Sequence, residues 1–164
     1  MTILKLCISV GLIVLVGTPA SAQVRDKKAL TLDGAKKLAA AAAAEANKRG
    51  VGVVIAVVDD GGHLLLLERL DNTQVASVEV GIGKARTAAI FRRPTREFEE
   101  GIAKGRTASL VIPGATPLQG GIPIKLNGQV IGAIGVSGDT PAADEEIAKV
   151  GAAVLSDLAN GGGR

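Results

Sequence analysis

Residues 111–139 read VIPGATPLQGGIPIKLNGQVIGAIGVSGD, and the second half of that stretch decides the fold class. Two apolar runs flank Asn127-Gly128, the pair preferred in a type I′ turn because both central residues must adopt φ > 0. The stretch is therefore a β-hairpin. Its returning strand, residues 129–137, carries Gly132 and Gly135. Glycine inside a strand weakens it and marks a bulge or a close approach by backbone or ligand. The first half is rich in proline and glycine, from Pro113-Gly114 through Thr116-Pro117 to Gly120-Gly121 and Pro123. Proline fixes φ and glycine permits unusual φ, so this loop is stiff. It reads either as a pocket wall or as a tight connection in a small α/β domain.

Downstream, Thr140-Pro141 is a helix cap followed by proline at the first helical position, and Ile147, Val150, Val154 and Leu158 form the expected buried stripe of a last helix. Upstream, residues 110–112 read as a brief strand and residues 95–102 as a short helix. Residues 75–91 carry Val75, Val78, Ile82, Ala85 and Ala89 at helical spacing, and Pro94 keeps that helix from running far past Arg93. Asp71-Asn72-Thr73 is a break that offers its cap. Residues 53–58, VVIAVV, are an unbroken apolar run that predicts a strand buried on both faces. The four-residue turn Asp59-Asp60-Gly61-Gly62 returns the chain as a second strand over residues 63–70, antiparallel because the turn is so short. The first helix covers residues 32–49: Thr31 caps it, Asp33 lies in its first turn, Lys48 and Arg49 in its last, and Gly50 stops it. The order is α-β-β-α-β-β-β-α. It predicts an α+β domain over residues 31–160 with an antiparallel sheet of about five strands flanked by helices.

The 164 residues suit one domain, preceded by a loose polar segment at 23–30. The chain is 47% hydrophobic but only 1% aromatic, Phe91 and Phe98, so its core is aliphatic. A net charge of +3 is too mild to point to nucleic acid, and single-strand binders also need aromatic stacking platforms. Residues 1–22 have the form of a cleaved signal peptide: a short basic start, an apolar run over residues 6–16 too short to span a bilayer, and Ala20-Ser21-Ala22 before Gln23. The expectation is export, to the periplasm in a Gram-negative cell or out of the cell, with no membrane span after the signal is removed. Cys7 leaves with the signal, so the mature chain has no disulfide or thiol chemistry.

Most catalytic constellations are absent. The mature chain contains no Cys, Tyr, Trp or Met and one histidine, His63. It therefore cannot build a two-His or Cys-rich zinc site within one subunit. No G-x-S-x-G or C-x-x-C-H occurs, and Gly81-Ile82-Gly83-Lys84 has the wrong spacing for a P-loop. His63 follows a glycine-rich turn where a side chain can face a cleft; it is the one candidate metal ligand and the one acid–base group near neutral pH. It also reads as a partly exposed histidine at a strand edge. Lys84, Arg86, Arg92 and Arg93 make the second long helix cationic, with Lys84, Thr87 and Phe91 sharing a face. Asp144, Glu145 and Glu146 complement the last helix's dipole, with a metal role as the alternative.

Three stretches, VVDDGGHLLLLERLD, GIGKARTAAIFRRPT and PGATPLQGGIPIKLNGQVIGAIGVSGDTPAADEEIA, resemble, in this order, the GlcG/HbpS-like family, itself similar to the C-terminal domain of PduO-type corrinoid proteins. The likeness runs from about residue 30 to 158. It implies a profilin-like domain with a five-stranded antiparallel sheet, self-association into dimers and octamers, and non-covalent haem binding by exported members. Haem iron is usually held by His, Cys, Met or Tyr, so His63 is the candidate strong ligand; otherwise Thr116, Lys84 or water would hold the iron. Lys84 and Arg86 are candidates to pair with propionates. The candidate haem site comprises His63, Lys84, Arg86, Thr87, Phe91, Pro113, Gly114, Thr116, Gly120 and Gly121, in a cleft between the 113–123 loop and the 75–91 helix. The leading reading is an exported, homo-oligomeric protein that binds or scavenges haem transiently. The alternatives are an enzyme of isomerase, lyase or hydrolase type acting on a small organic acid with His63 as acid–base group, and an accessory or sensor-partner protein.

Overall fold

The computed structural model describes residues 26–161, with side chains to Leu155; the proposed signal peptide and Leu158 of the expected stripe lie outside the described parts. The elements follow in the order α1 (Leu32–Arg49), β1 (Val54–Asp59), β2 (Leu64–Arg69), α2 (Ser77–Phe91), α3 (Arg96–Ala103), a 3-10 turn (Thr107–Val111), β3 (Gly121–Leu126), β4 (Gln129–Ser137) and α4 (Pro141–Gly161). The sheet order is β2-β1-β4-β3, with every neighbouring pair antiparallel. The α+β class and the antiparallel sheet agree with the sequence. The strand count does not: among the described residues the sheet has four strands. Leu110 to Ile112, expected as a fifth strand, falls at the 3-10 turn instead. The run is too short to pair, and Val111 is 80% exposed, so burial does not hold it against the sheet.

β1 lies at the centre and alternates its apolar side chains between two cores, as a strand buried on both faces must. Val53, Ile55 and Val57 pack with Leu38, Ala42, Ala46, Ile134, Val136 and Ile147 under α1 and α4. Ala56 and Val58 pack with Ala85, Ala88, Ala89 and Ala133 under α2. The second core consists mostly of alanine, so α2 lies very close to the sheet. Gly135 permits this: a Cβ there would collide with the carbonyl oxygen of Gly81 and the amide of Ala85 on α2. Gly132 faces Ile124 where the β3–β4 register slips, at Ile124/Lys125. The two strand glycines therefore mark a helix contact and a bulge.

The turn chemistry is as the sequence states it. Asn127 and Gly128 take φ of 51° and 80°, the I′ signature. Thr31 Oγ1 accepts from the Gly34 amide at 3.1 Å and Thr140 Oγ1 from the Ala143 amide at 3.3 Å, and Gly50 ends α1 in the left-handed region. Two helical stripes differ from expectation. In α2, Ala85 and Ala89 are buried and Ile82 packs beside them as expected, but Ser77, Gly81, Lys84 and Ala88 are buried too, while Val75 precedes the helix and is exposed. In α4, Ala148 and Gly151 face the core with Ile147, and Val150 is exposed. In both helices small residues form the contact because only they let the backbones approach, a preference hidden from a search for large apolar side chains. The 71–73 break does not cap α2 either: Thr73 Oγ1 donates to the Leu70 carbonyl at 2.6 Å and closes its own turn.

Candidate functional site

The residues expected to line one cleft divide into two groups on opposite flanks of α2. On the β3 flank, the 113–121 loop is seated directly on the helix. The Thr116 amide donates to Thr87 Oγ1 at 2.7 Å, and that hydroxyl donates to the Gly83 carbonyl at 2.7 Å. A Cβ at Gly83 would strike Thr116 Oγ1. The Gly120 carbonyl accepts from the Val136 amide at 2.9 Å, and the Gly121 amide donates to Thr95 Oγ1 at 2.8 Å. Pro113 and Gly114 stay exposed on the outer limb of the loop. The loop is a strap that closes the gap where a cleft was expected.

Lys84 lies beneath this strap. Its side chain is 3% exposed, as is that of Asp144, and its Nζ donates to Asp144 Oδ2 at 2.7 Å and to the Val136 carbonyl at 3.0 Å. Asp144 Oδ1 accepts the Asp139 amide at 3.0 Å. Burial pushes the Asp144 carboxyl above the usual carboxylate range, against the opposing pull of the Lys84 hydrogen bond and charge. The ammonium is thus committed to joining α2, β4 and α4, which corrects the assignment of Lys84 to a propionate. Phe91 is also structural: its ring meets Phe98 edge-on at 5.2 Å, and the Arg93 guanidinium sits 4.1 Å over the Phe98 ring.

On the other flank, the structure brings the turn that precedes His63 against Arg86. The β1–β2 turn is locked by Asp59, whose Oδ1 accepts the Gly61 amide at 2.9 Å and the His63 amide at 2.8 Å. Gly62, at φ 82°, lies against the stem of Arg86: a Cβ there would come within 2.8 Å of Arg86 Cγ and 3.1 Å of Ile90 Cγ2. His63 and Arg86 are both exposed, and among the described residues the imidazole makes no hydrogen bond or ion pair. Strand register places Leu64 opposite Val58 and Leu67 opposite Ala56, on the α2 side of the sheet. α2 covers β1 and β4 but leaves β2 open. Leu64, Leu67 and Ile90 accordingly remain 49%, 38% and 39% exposed. An uncovered aliphatic surface bordered by Arg86 and by the turn that leads into His63 suits an apolar, anionic ligand. Among the described residues no group of three or more His, Cys, Asp or Glu is placed to hold a metal ion.

The sequence did not reveal the Lys84–Asp144 pair, which spans 60 residues of chain. Its one signal is a lysine on the helix face that also carries Gly81, Ala85 and Ala88: a charge among residues that must touch the sheet needs a buried partner.

A four-stranded antiparallel sheet between a helix pair and a single helix, with a strapped α2, defines a small α+β domain. The model of the family described as "Haem degrading protein HbpS-like" matches residues 30–153, and the chain belongs to this family. Protein GlcG of Escherichia coli K12 is 46% identical over 114 residues, 70% of this chain and 85% of GlcG. Among solved structures, a double mutant of HbpS from Streptomyces reticuli superposes with a TM-score of 0.75 at 34% identity, covering 88% of this chain and 99% of that one. A PduOC–haem complex gives 0.70 at 27% identity, covering 77% and 94%. Among the described residues no helix is long and apolar enough to cross a membrane.

Proposed function

We propose that this chain is an exported protein that binds haem non-covalently and reversibly on the surface formed by β2 and the outer flank of α2. The observation that carries the reading is the uncovered Leu64, Leu67 and Ile90 surface, bordered by Arg86 and by the turn that leads into His63, the mature chain's one strong candidate iron ligand. Haem supplies an iron centre and two propionates; the chain supplies an imidazole for the first, a guanidinium for the second and aliphatic surface for the macrocycle. With no aromatic ring and no closed slot at this surface, the site favours exchange over permanent retention. Membership of a family described by haem, and a neighbour solved with haem bound, support the same reading.

Self-association belongs to this proposal. β2 is an edge strand whose outer face is apolar, and such edges invite pairing unless they are covered. A second copy seated there completes the haem surface, giving dimers from which a closed octamer can be built. The test is a hemin titration followed at the Soret band. His63→Ala is expected to shift the maximum and weaken binding at least tenfold, about 1.4 kcal/mol. An unchanged spectrum and affinity would remove His63 from the site. Export is tested separately: N-terminal sequencing of the native protein is expected to begin at or near Gln23, and an intact Met1 refutes it.

A further inference from the structure

We infer that a second, separate site on this chain binds a small anionic metabolite, one bearing a carboxylate or phosphate head, between Arg92 and Lys125. A cavity of about 720 Å³ opens at the end of the sheet, where the 26–28 segment, the C-terminus of α2 and the β3–β4 hairpin meet. This is within the range of small-molecule pockets. Its charged lining is Lys27, Arg92 and Lys125 against Asp26 and Asp60. Lys27 is neutralised by Asp60 at 2.7 Å, and this contact ties the N-terminal segment across the cavity as one of its walls. Arg92 and Lys125 enter no ion pair among the described residues, although the adjacent Arg93 engages both Glu97 and the Phe98 ring. Gln129 and the hairpin backbone at Gly128 add polar groups to the same wall.

The backbone of Arg92 supplies an independent observation. Arg92 ends α2 in the left-handed region, at φ 58° and ψ 31°. Among the described residues, Asn72 and Asn127 are the other non-glycine residues with positive φ, and asparagine tolerates that conformation far better than arginine does. Glycine is the residue a helix terminus of this geometry favours. A cation near a helix C-terminus is stabilised by the dipole, but this does not require the cation to occupy the strained position itself. Arg92 and Lys125 line the same cavity, where Asp26 is the one further charge outside the Lys27–Asp60 pair. A guanidinium there can grip a planar carboxylate or a phosphate with two parallel hydrogen bonds. His63 does not line the cavity, so the inference stands apart from the haem reading.

The test is isothermal titration of the full mature protein with succinate, with inorganic phosphate and with glycine, for the wild type, Arg92→Gly and Lys125→Gln. Saturable binding of at least one of the two anions is expected; the anion that binds more tightly identifies the head group. Arg92→Gly is expected to weaken that binding at least tenfold while its melting temperature stays level or rises, because glycine relieves the backbone. Lys125→Gln is expected to weaken it as well. The inference is overturned if the wild type binds neither anion, if glycine binds as tightly as they do, if Arg92→Gly binds like the wild type, or if Arg92→Gly lowers the melting temperature.

Discussion

Replacing Lys84 with methionine removes one charge from a place where the fold has no room for an unpaired partner. The ammonium bonds Asp144 Oδ2 and the Val136 carbonyl, and both side chains of the ion pair are 3% exposed. Methionine keeps the volume and loses both bonds, leaving a buried carboxylate without its counter-charge and the Val136 carbonyl without the Lys84 donor. Breaking a buried ion pair from one side costs about 3–5 kcal/mol. At roughly 3–4 °C per kcal/mol for a domain of this size, thermal melting followed by circular dichroism is expected to fall by about 10–20 °C. The double variant Lys84→Met/Asp144→Asn is expected to recover much of that loss, since it removes the stranded charge and leaves an amide oxygen for the Asp139 amide. The dependence on pH has a definite sign. Burial already raises the Asp144 carboxyl, and Lys84 supplies the largest of the influences that lower it, ahead of the Asp139 amide. Without Lys84 the carboxyl rises further. A group raised in the fold stabilises it below the unfolded pKa and loses that contribution as pH rises through the folded pKa. The deficit of Lys84→Met is therefore smallest in acid and widens toward neutral pH. A Lys84→Met protein that melts within about 2 °C of the wild type at neutral pH refutes the assignment of this pair as a structural clamp.

Gly135→Ala is expected to destabilise the fold by about 1–3 kcal/mol, because its methyl would meet the backbone of α2 at Gly81 and Ala85; urea unfolding measures it, and a wild-type midpoint refutes the close approach. Glu145 is 1% exposed, and its oxygens lie near Lys149 at 2.8 Å and Arg96 at 3.5 Å without hydrogen-bond geometry. Glu145→Leu is therefore expected to melt at or above the wild-type temperature, and a large fall would mean that the carboxylate is needed where it stands. Leu67→Glu places a charge on the uncovered face of β2 and is expected to yield a monomer by light scattering, with an unchanged melting profile at high dilution; an oligomer of wild-type mass would locate self-association elsewhere.

Local chemistry was legible in the sequence wherever one residue type dictates one geometry. Asn127-Gly128, Thr31, Gly50 and the VVIAVV run each allow few backbone states, and the structure realises them. The extra strand at Leu110–Ile112 failed because a short apolar run is a weak signal without a partner. The faces of α2 and α4 were legible at Ala85, Ala89 and Ile147 but not at the small residues between them, for a different reason. Periodicity weights large apolar side chains, whereas these helices touch their neighbours through glycine and alanine.

The candidate site was legible as a set of residue types and not as a place. Scarcity singled out His63: with no Cys, Met or Tyr in the mature chain, elimination leaves one strong iron ligand. The grouping of Lys84 and Arg86 with the 113–123 loop treats the cations of α2 as facing one cleft. On α2, however, Lys84 and Arg86 project to opposite flanks. Two positions along a helix rotate a side chain by about 200°. That rotation sends Lys84 under the strap to Asp144 and Arg86 out beside Gly62. The same rotation places the buried cation where it holds the fold together and the exposed cation where it can meet a ligand. A single lysine-to-arginine reading of the GKAR segment could not separate these roles, because the difference lies in which flank the sheet leaves open, and that is set by β2 having no helix of its own above it.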